Sequence, residues 1–177
     1  SNVWDMYMAV ANFSVNELSK KGWAVRFYSC YSDSGLCMEV SFRKRSRDGC
    51  GGVSILGKID PPEYVDFLIA VQSYNPRSRR ITPSCMTRLI DRFKIDDRNL
   101  DSFYAYPIAM AMALLVRAYI EEIGSVDIMT YVPSHSSEFR YDKKSGRRYD
   151  HVKFLAVLLQ DFLGGFAWPI ISLLKKI

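Results

Sequence analysis

Histidine is nearly missing from this 177-residue chain. The two present, His135 and His151, form neither His-x-x-x-His nor His-Glu-x-x-His, which removes the zinc-hydrolase patterns. Cysteine is scarce as well. Cys30, Cys37, Cys50 and Cys85 share no repeated spacing and no Cys-x-x-Cys. They read as free thiols in a reducing compartment rather than as zinc ligands or a disulfide framework, and no metal site is expected. Long apolar runs are lacking too: the apolar stretches 104–116 and 162–174 lie in the longest uncharged runs, 102–116 and 162–174, of 15 and 13 residues. A bilayer needs about 20, so no membrane partner is expected. No basic segment leads into an apolar stretch as a secretory leader would, and the expected location is cytoplasmic. The string Gly49-Cys-Gly-Gly52 is not followed by lysine and serine, so it is no P-loop.

Half the composition, 49%, is hydrophobic and 24% is charged, which places the chain among folded proteins with a real core. The net charge is +5, from 24 basic and 19 acidic residues. That excess suits phosphate-bearing partners.

Hydrophobic periodicity predicts two units. The loosely helical rhythm of Val3, Trp4, Met8, Phe13 and Leu18 ends at Lys20-Lys21-Gly22, which is helix-stop chemistry. Trp23, Val25 and Phe27 then alternate with Ala24, Arg26 and Tyr28, the period of a strand. Met38, Val40 and Phe42 predict a second strand, residues 46–52 a turn, and residues 53–55 a short third strand. Pro61-Pro62 suits a helix start, with Tyr64, Phe67, Leu68 and Val71 following at helical spacing. Residues 1–73 are thus expected to form a helix, a three-stranded meander and a helix. Residues 74–83, with Pro76 and Pro83, read as a linker.

Residues 84–177 follow another rhythm. An amphipathic helix is expected over 86–93 and a long apolar helix over 103–123, ended by Gly124. A compact strand follows at 127–132, then a polar loop to about 147. Val152, Leu155, Ala156, Leu159 and Phe162 form one face of a helix stopped by Gly164-Gly165, and a further strand is expected at 170–174. Helix, strand, loop, helix, strand is the order of a parallel α/β sheet. The expected class is α/β, or α+β for the whole chain.

The most informative stretch is Asp127-Ile-Met-Thr-Tyr-Val-Pro-Ser-His135, followed after a basic loop by Arg147-Arg-Tyr-Asp-His-Val-Lys-Phe-Leu-Ala156. It resembles the ComF-type phosphoribosyltransferase-like family, in which a strand ends Val-Pro-Leu-His and a loop leads through Arg-Gly-Phe-Asn-Gln to a Leu-Ala helix. Arg88-Leu-Ile-Asp-Arg-Phe-Lys94 is similar to that family's Leu-Ile-x-x-Leu-Lys-Phe segment. Ile170-Ile-Ser-Leu-Leu-Lys-Lys176 resembles its next strand. The likeness spans residues 81–177 and corresponds to the first half of the family domain. It implies a partial phosphoribosyltransferase-like parallel α/β segment that binds a phosphorylated ligand or nucleotide. Mg²⁺ is implied as cofactor only where a phosphoribosyl pyrophosphate site is complete. The sequence departs from the family at Arg148, where a glycine is usual. It also contains no Asp-Asp-x-x-Thr-Thr-Gly string; Asp96-Asp97 is followed by Arg-Asn-Leu. Complete catalytic machinery is therefore not expected, and no catalytic residue is assigned.

Two basic runs are the candidate sites. Arg140, Arg147 and Arg148 could grip phosphate through bidentate guanidinium contacts. His135 at the strand's end could donate to it, the following helix N-terminus could supply amides, and Asp150 could cap that helix. Arg43-Lys44-Arg45-Ser46-Arg47 places four cations in five residues at an expected hairpin end, suited to nucleic-acid phosphates without sequence readout. That run supports an alternative class, a non-enzymatic nucleic-acid-binding or assembly module. The order helix, three strands, helix also matches double-stranded-RNA-binding domains in topology, without their basic helix start. Expected partners are a phosphorylated small molecule or a nucleic acid, with self-association or a partner chain supplying the missing half.

Overall fold

A computed structural model describes residues 19–20, 22–29, 36–42, 50–55, 57–71, 85–95, 104–132, 140–141, 148–164 and 168–173. The architecture mixes helices with small antiparallel sheets. Strands β1 (Trp23–Ser29), β2 (Leu36–Phe42) and β3 (Cys50–Ile55) form a sheet in the order β1-β2-β3. The first pair runs from Trp23 opposite Phe42 to Ser29 opposite Leu36. Gly22, at φ 93°, turns the chain into β1, and its N–H donates to Ser19 O at 3.0 Å. The expected meander is therefore present. The first helix is described only at Ser19 and Lys20, and the rest of it lies outside the described residues.

The third strand is longer than its sequence signal. Met38 pairs with Val53 and Val40 with Cys50, so Glu39 is opposed by both Gly51 and Gly52. One extra residue on one strand is a β-bulge, and glycine accommodates its backbone readily. Residues 50–52 of the expected turn are thus part of the strand, and residues 46–49 lie outside the described residues.

The expected helix over residues 61–72 is absent. The chain instead forms β4 (Gly57–Ile59) and β5 (Leu68–Ala70), antiparallel, with Lys58 opposite Ile69. Between them Val65 N–H donates to Pro62 O at 3.1 Å, and Tyr64 takes φ 71°. A tyrosine at positive φ is incompatible with a continuing right-handed helix. Apolar spacing at Phe67, Leu68 and Val71 fits strand as well as helix over so short a run. The likeness in order to a double-stranded-RNA-binding domain ends here, because its closing helix is a β-hairpin in this chain.

Among the described residues, three of the four helices that follow carry most of the core: α1 (Cys85–Ile95), α2 (Ala105–Ala118) and α4 (His151–Leu163). A short α3 (Ile120–Ile123) continues α2 after a break at Tyr119, whose φ of −107° and ψ of 15° leave the helical region. The single helix expected over 103–123 is therefore two. The hairpin β4–β5 attaches at the break: Lys58 N–H donates to Tyr119 Oη at 3.3 Å, and the Phe67 and Tyr119 rings lie 5.7 Å apart. Lys58 Nζ also reaches Glu122 Oε2 at 3.1 Å.

Helix α2 is the centre of the core. It carries no charge before Arg117, and ten of its residues are buried. Such a helix, apolar around its circumference, must be wrapped on several sides. Helices α1 and α4 and strand β5 provide that cover. Ala105, Ala109, Ala111 and Ala113 are fully buried and keep the backbones close. Pro107 sits in the first turn, where its missing N–H costs nothing. Trp23 of β1 belongs to the same cluster, edge-on to Tyr104 at 6.2 Å. Residues 74–83, the expected linker, lie outside the described residues. Among the described residues no helix is long and apolar enough to cross a membrane.

Candidate functional site

The arrangement that positions a site is built from residues 127–173. Gly124, at φ 74°, ends α3 and releases the chain into the segment 127–132. After α4 the chain returns at 168–173 and pairs with that segment in parallel, through a single bridge between Met129 and Ile170. Met129 N–H donates to Pro169 O at 2.7 Å, and Ile171 N–H donates to Met129 O at 2.9 Å. The next amide, Leu173 N, turns to Thr130 Oγ1 at 3.4 Å, which ends the ladder after one rung. The strands expected at 127–132 and 170–174 are thus reduced, among the described residues, to one parallel bridge on either side of α4, and every sheet described is antiparallel.

Helix α4 is fixed at both ends. Its N-cap is Asp150, whose Oδ1 accepts from Val152 N at 2.9 Å and from Lys153 N at 3.3 Å. That cap was legible in the sequence. Its consequence for anion binding was not: the carboxylate satisfies two of the amides that an unoccupied helix start would offer to phosphate. It also places a negative group where a phosphate would approach, so cations rather than helix amides must carry any phosphate contact here. The His151 ring packs edge-on against Phe93 of α1 at 5.3 Å. At the other end Arg117 Nη2 donates to Leu163 O, a cation set against a helix C-terminus. Gly164 closes that end at φ 71°. Gln160 Nε2 donates to Trp168 O and ties the returning segment to the helix.

Between residue 132 and α4 the chain makes a two-rung antiparallel ribbon, β6 (Arg140–Tyr141) and β7 (Arg148–Tyr149), and β7 runs directly into the Asp150 cap. Arg140 pairs with Tyr149 and Tyr141 with Arg148. The register thus brings positions 140 and 148 to adjacent rungs, next to the start of α4. Position 148 is strand backbone, so arginine there does not face the positive-φ demand that the family's glycine would meet. His135 and Arg147 lie outside the described residues, as do Arg43, Lys44, Arg45 and Arg47. The pairing of β2 with β3 makes residues 43–49 the connection of that hairpin.

Sequence reasoning missed Arg117, the break at Tyr119 and the turn at Tyr64. Arg117 had a faint signal as the first charge after a long apolar run. The other two depend on partners distant in sequence. Among the described residues no group of three or more His, Cys, Asp or Glu is placed to hold a metal ion. Comparison with protein-family models, curated proteins and solved structures gives no match for this chain.

Proposed function

We propose that this protein binds a phosphorylated ligand or nucleotide in the manner of a phosphoribosyltransferase-like domain, at the carboxyl end of the 127–132 segment. The observation that carries this reading is the parallel bridge between Met129 and Ile170 around α4. In α/β folds, ligands collect outside the carboxyl ends of parallel strands, where loops lead into helices. Here that loop contains Arg140, Arg147 and Arg148, with His135 at its beginning. The arginines supply the charge that Asp150 prevents the helix amides from supplying, and Mg²⁺ accompanies a pyrophosphate ligand as its counter-ion. Binding rather than group transfer is proposed, since the Asp-Asp-x-x-Thr-Thr-Gly string that holds ribose phosphate in such enzymes does not occur in the sequence.

Thermal unfolding in the presence of phosphoribosyl pyrophosphate and Mg²⁺ tests this reading. A ligand at about 100 times its Kd stabilises the native state by about 2.7 kcal/mol. A saturable rise in Tm that Arg147→Ala or Arg148→Ala abolishes supports it. No rise at any concentration of ligand removes it.

A second reading rests on the β2–β3 hairpin, whose connection carries Arg43, Lys44, Arg45 and Arg47. In that reading the protein is a nucleic-acid-binding module that contacts backbone phosphates. Each phosphate contact adds about −0.9 to the slope of log K against log salt for duplex DNA. Reversing Arg43, Arg45 and Arg47 to glutamate should flatten that slope; an unchanged slope removes the hairpin from the interface.

A further inference from the structure

Helix α2 gives way to α3 without a local reason. From Ile108 to Ile123 the sequence holds neither glycine nor proline, and sharp helix breaks trace to those residues, to π-bulges or to a group pressing from outside. The break is also narrow. Tyr119 N–H still donates to Leu115 O at 3.1 Å, and Ile123 N–H donates to Tyr119 O at 2.9 Å. Tyr119 itself departs, at φ −107° and ψ 15°, against about −63° and −42° in a regular helix.

Two grips meet at this residue. On the α2 side, Arg117 Nη2 donates to Leu163 O and ties the last turn to α4. On the α3 side the β4–β5 hairpin holds on. Lys58 N–H donates to Tyr119 Oη at 3.3 Å, Lys58 Nζ reaches Glu122 Oε2 at 3.1 Å, and the Phe67 ring lies 5.7 Å from that of Tyr119. Lys58 Nζ also stands 5.0 Å from the centre of the Phe67 ring, so one ammonium group joins both arms of the hairpin to α3. The hairpin's own hold is light. Its strands have three residues each, and residues 58–66 are exposed. Of its described residues, Ile69 and Val71 pack against the core cluster. A short two-stranded ladder with few buried apolar contacts opens before the rest of a molecule does.

We infer that the β4–β5 hairpin is a strap that breaks the 105–123 helix at Tyr119, and that its release joins α2 and α3 into one helix. What the strap governs is the segment beyond. Gly124 ends α3 and leads into 127–132, whose Met129 makes the parallel bridge to Ile170. Returning Tyr119 to helical angles turns its ψ by about 60° and swings α3 with everything that follows it. Met129 then no longer meets Pro169 and Ile171. The strapped state keeps the hairpin contacts and the bridge; the released state exchanges both for an unbroken helix. Both states are defined by backbone geometry, independently of the ligand readings above.

Native-state hydrogen exchange of the whole wild-type chain, read by NMR at low denaturant, tests the coupling. The amides of residues 57–59 and 68–70 should exchange in one step with those of Met129 and Ile171, at protection about tenfold or more below that of residues 108–115. Bridge amides that exchange only with global unfolding, or in a step separate from the hairpin, overturn the inference. Lys58→Met with Phe67→Leu removes the strap's charge and ring contacts and keeps its apolar bulk. The Cα and Cβ shifts of residues 116–122 should then be helical without a gap at Tyr119. Met129 and Ile171 should lose protection by about tenfold or more, as a minor state becomes the major one. A break that persists in the folded variant overturns the strap, and so does a continuous helix with bridge protection unchanged. The wild-type exchange decides the question even where the variant fails to fold.

Discussion

At the scale of single residues, three groups around α4 decide how firmly the proposed site is held. Asp150 accepts two amide hydrogen bonds at the helix start, and removing such a cap costs about 1 kcal/mol. Asp150→Ala should therefore lower stability by that amount in urea unfolding, while Asp150→Asn retains most of it. Asp150→Asn also removes the negative charge beside Arg148, so it should bind phosphoribosyl pyrophosphate more tightly than the wild type. Arg117 bonds the last carbonyl of α4. A hydrogen bond to a charged group is worth about 1.5–3 kcal/mol, and Arg117→Met should lose about that much, measured the same way. Gly164→Ala separates conformation from packing. A Cβ there meets Arg117 Nη2 only at ordinary distance, 3.7 Å, so its cost of about 1 kcal/mol comes from φ 71° alone. By contrast Lys58 and Glu122 are about half exposed, and breaking that pair should change stability by less than about 1 kcal/mol.

At the scale of elements, the sequence was legible where the pattern was long or the punctuation chemical. The strand rhythm of Trp23 to Tyr28 gave β1, the apolar run after Phe103 gave α2, and Asp150 with Gly164 marked both ends of α4. It was illegible where the outcome depended on a distant partner. Leu68 and Val71 fit a helix until β4 offers residues 68–70 a ladder and the core accepts Ile69 and Val71. The break at Tyr119 depends on Lys58 and Phe67, which lie more than fifty residues earlier. Glycines 51 and 52 looked like a turn because a bulge and a turn make the same local demand. Of the candidate site, the capping aspartate could be read from the sequence, but its competition with phosphate for the helix amides required the hydrogen bonds themselves. Close packing around α2 yields a prediction at this scale. Ala109 and Ala113 are fully buried, and Ala109→Leu should cost about 1–3 kcal/mol through overpacking, seen as a lower urea midpoint with an unchanged m-value.

At the scale of the whole molecule, positive charge is concentrated in two β connections. Residues 43–49 carry four basic residues and one acidic, and residues 140–148 carry five and one. The remainder of the chain is net acidic, and its 60–66 turn is the clearest example. The β6–β7 ribbon runs into the Asp150 cap of α4, while β2 and β3 of the three-stranded sheet flank the other basic connection. The first leads into a helix that the Met129–Ile170 parallel bridge brackets in sequence, and that difference is the reason for proposing phosphate-ligand binding ahead of nucleic-acid binding. Amide hydrogen exchange with and without phosphoribosyl pyrophosphate and Mg²⁺ tests that preference most directly. Protection is expected at residues 140–141 and 148–153, with none added across β2 and β3. Protection confined to β2, β3 and their connection, or absent throughout the chain, contradicts a phosphate site at the start of α4.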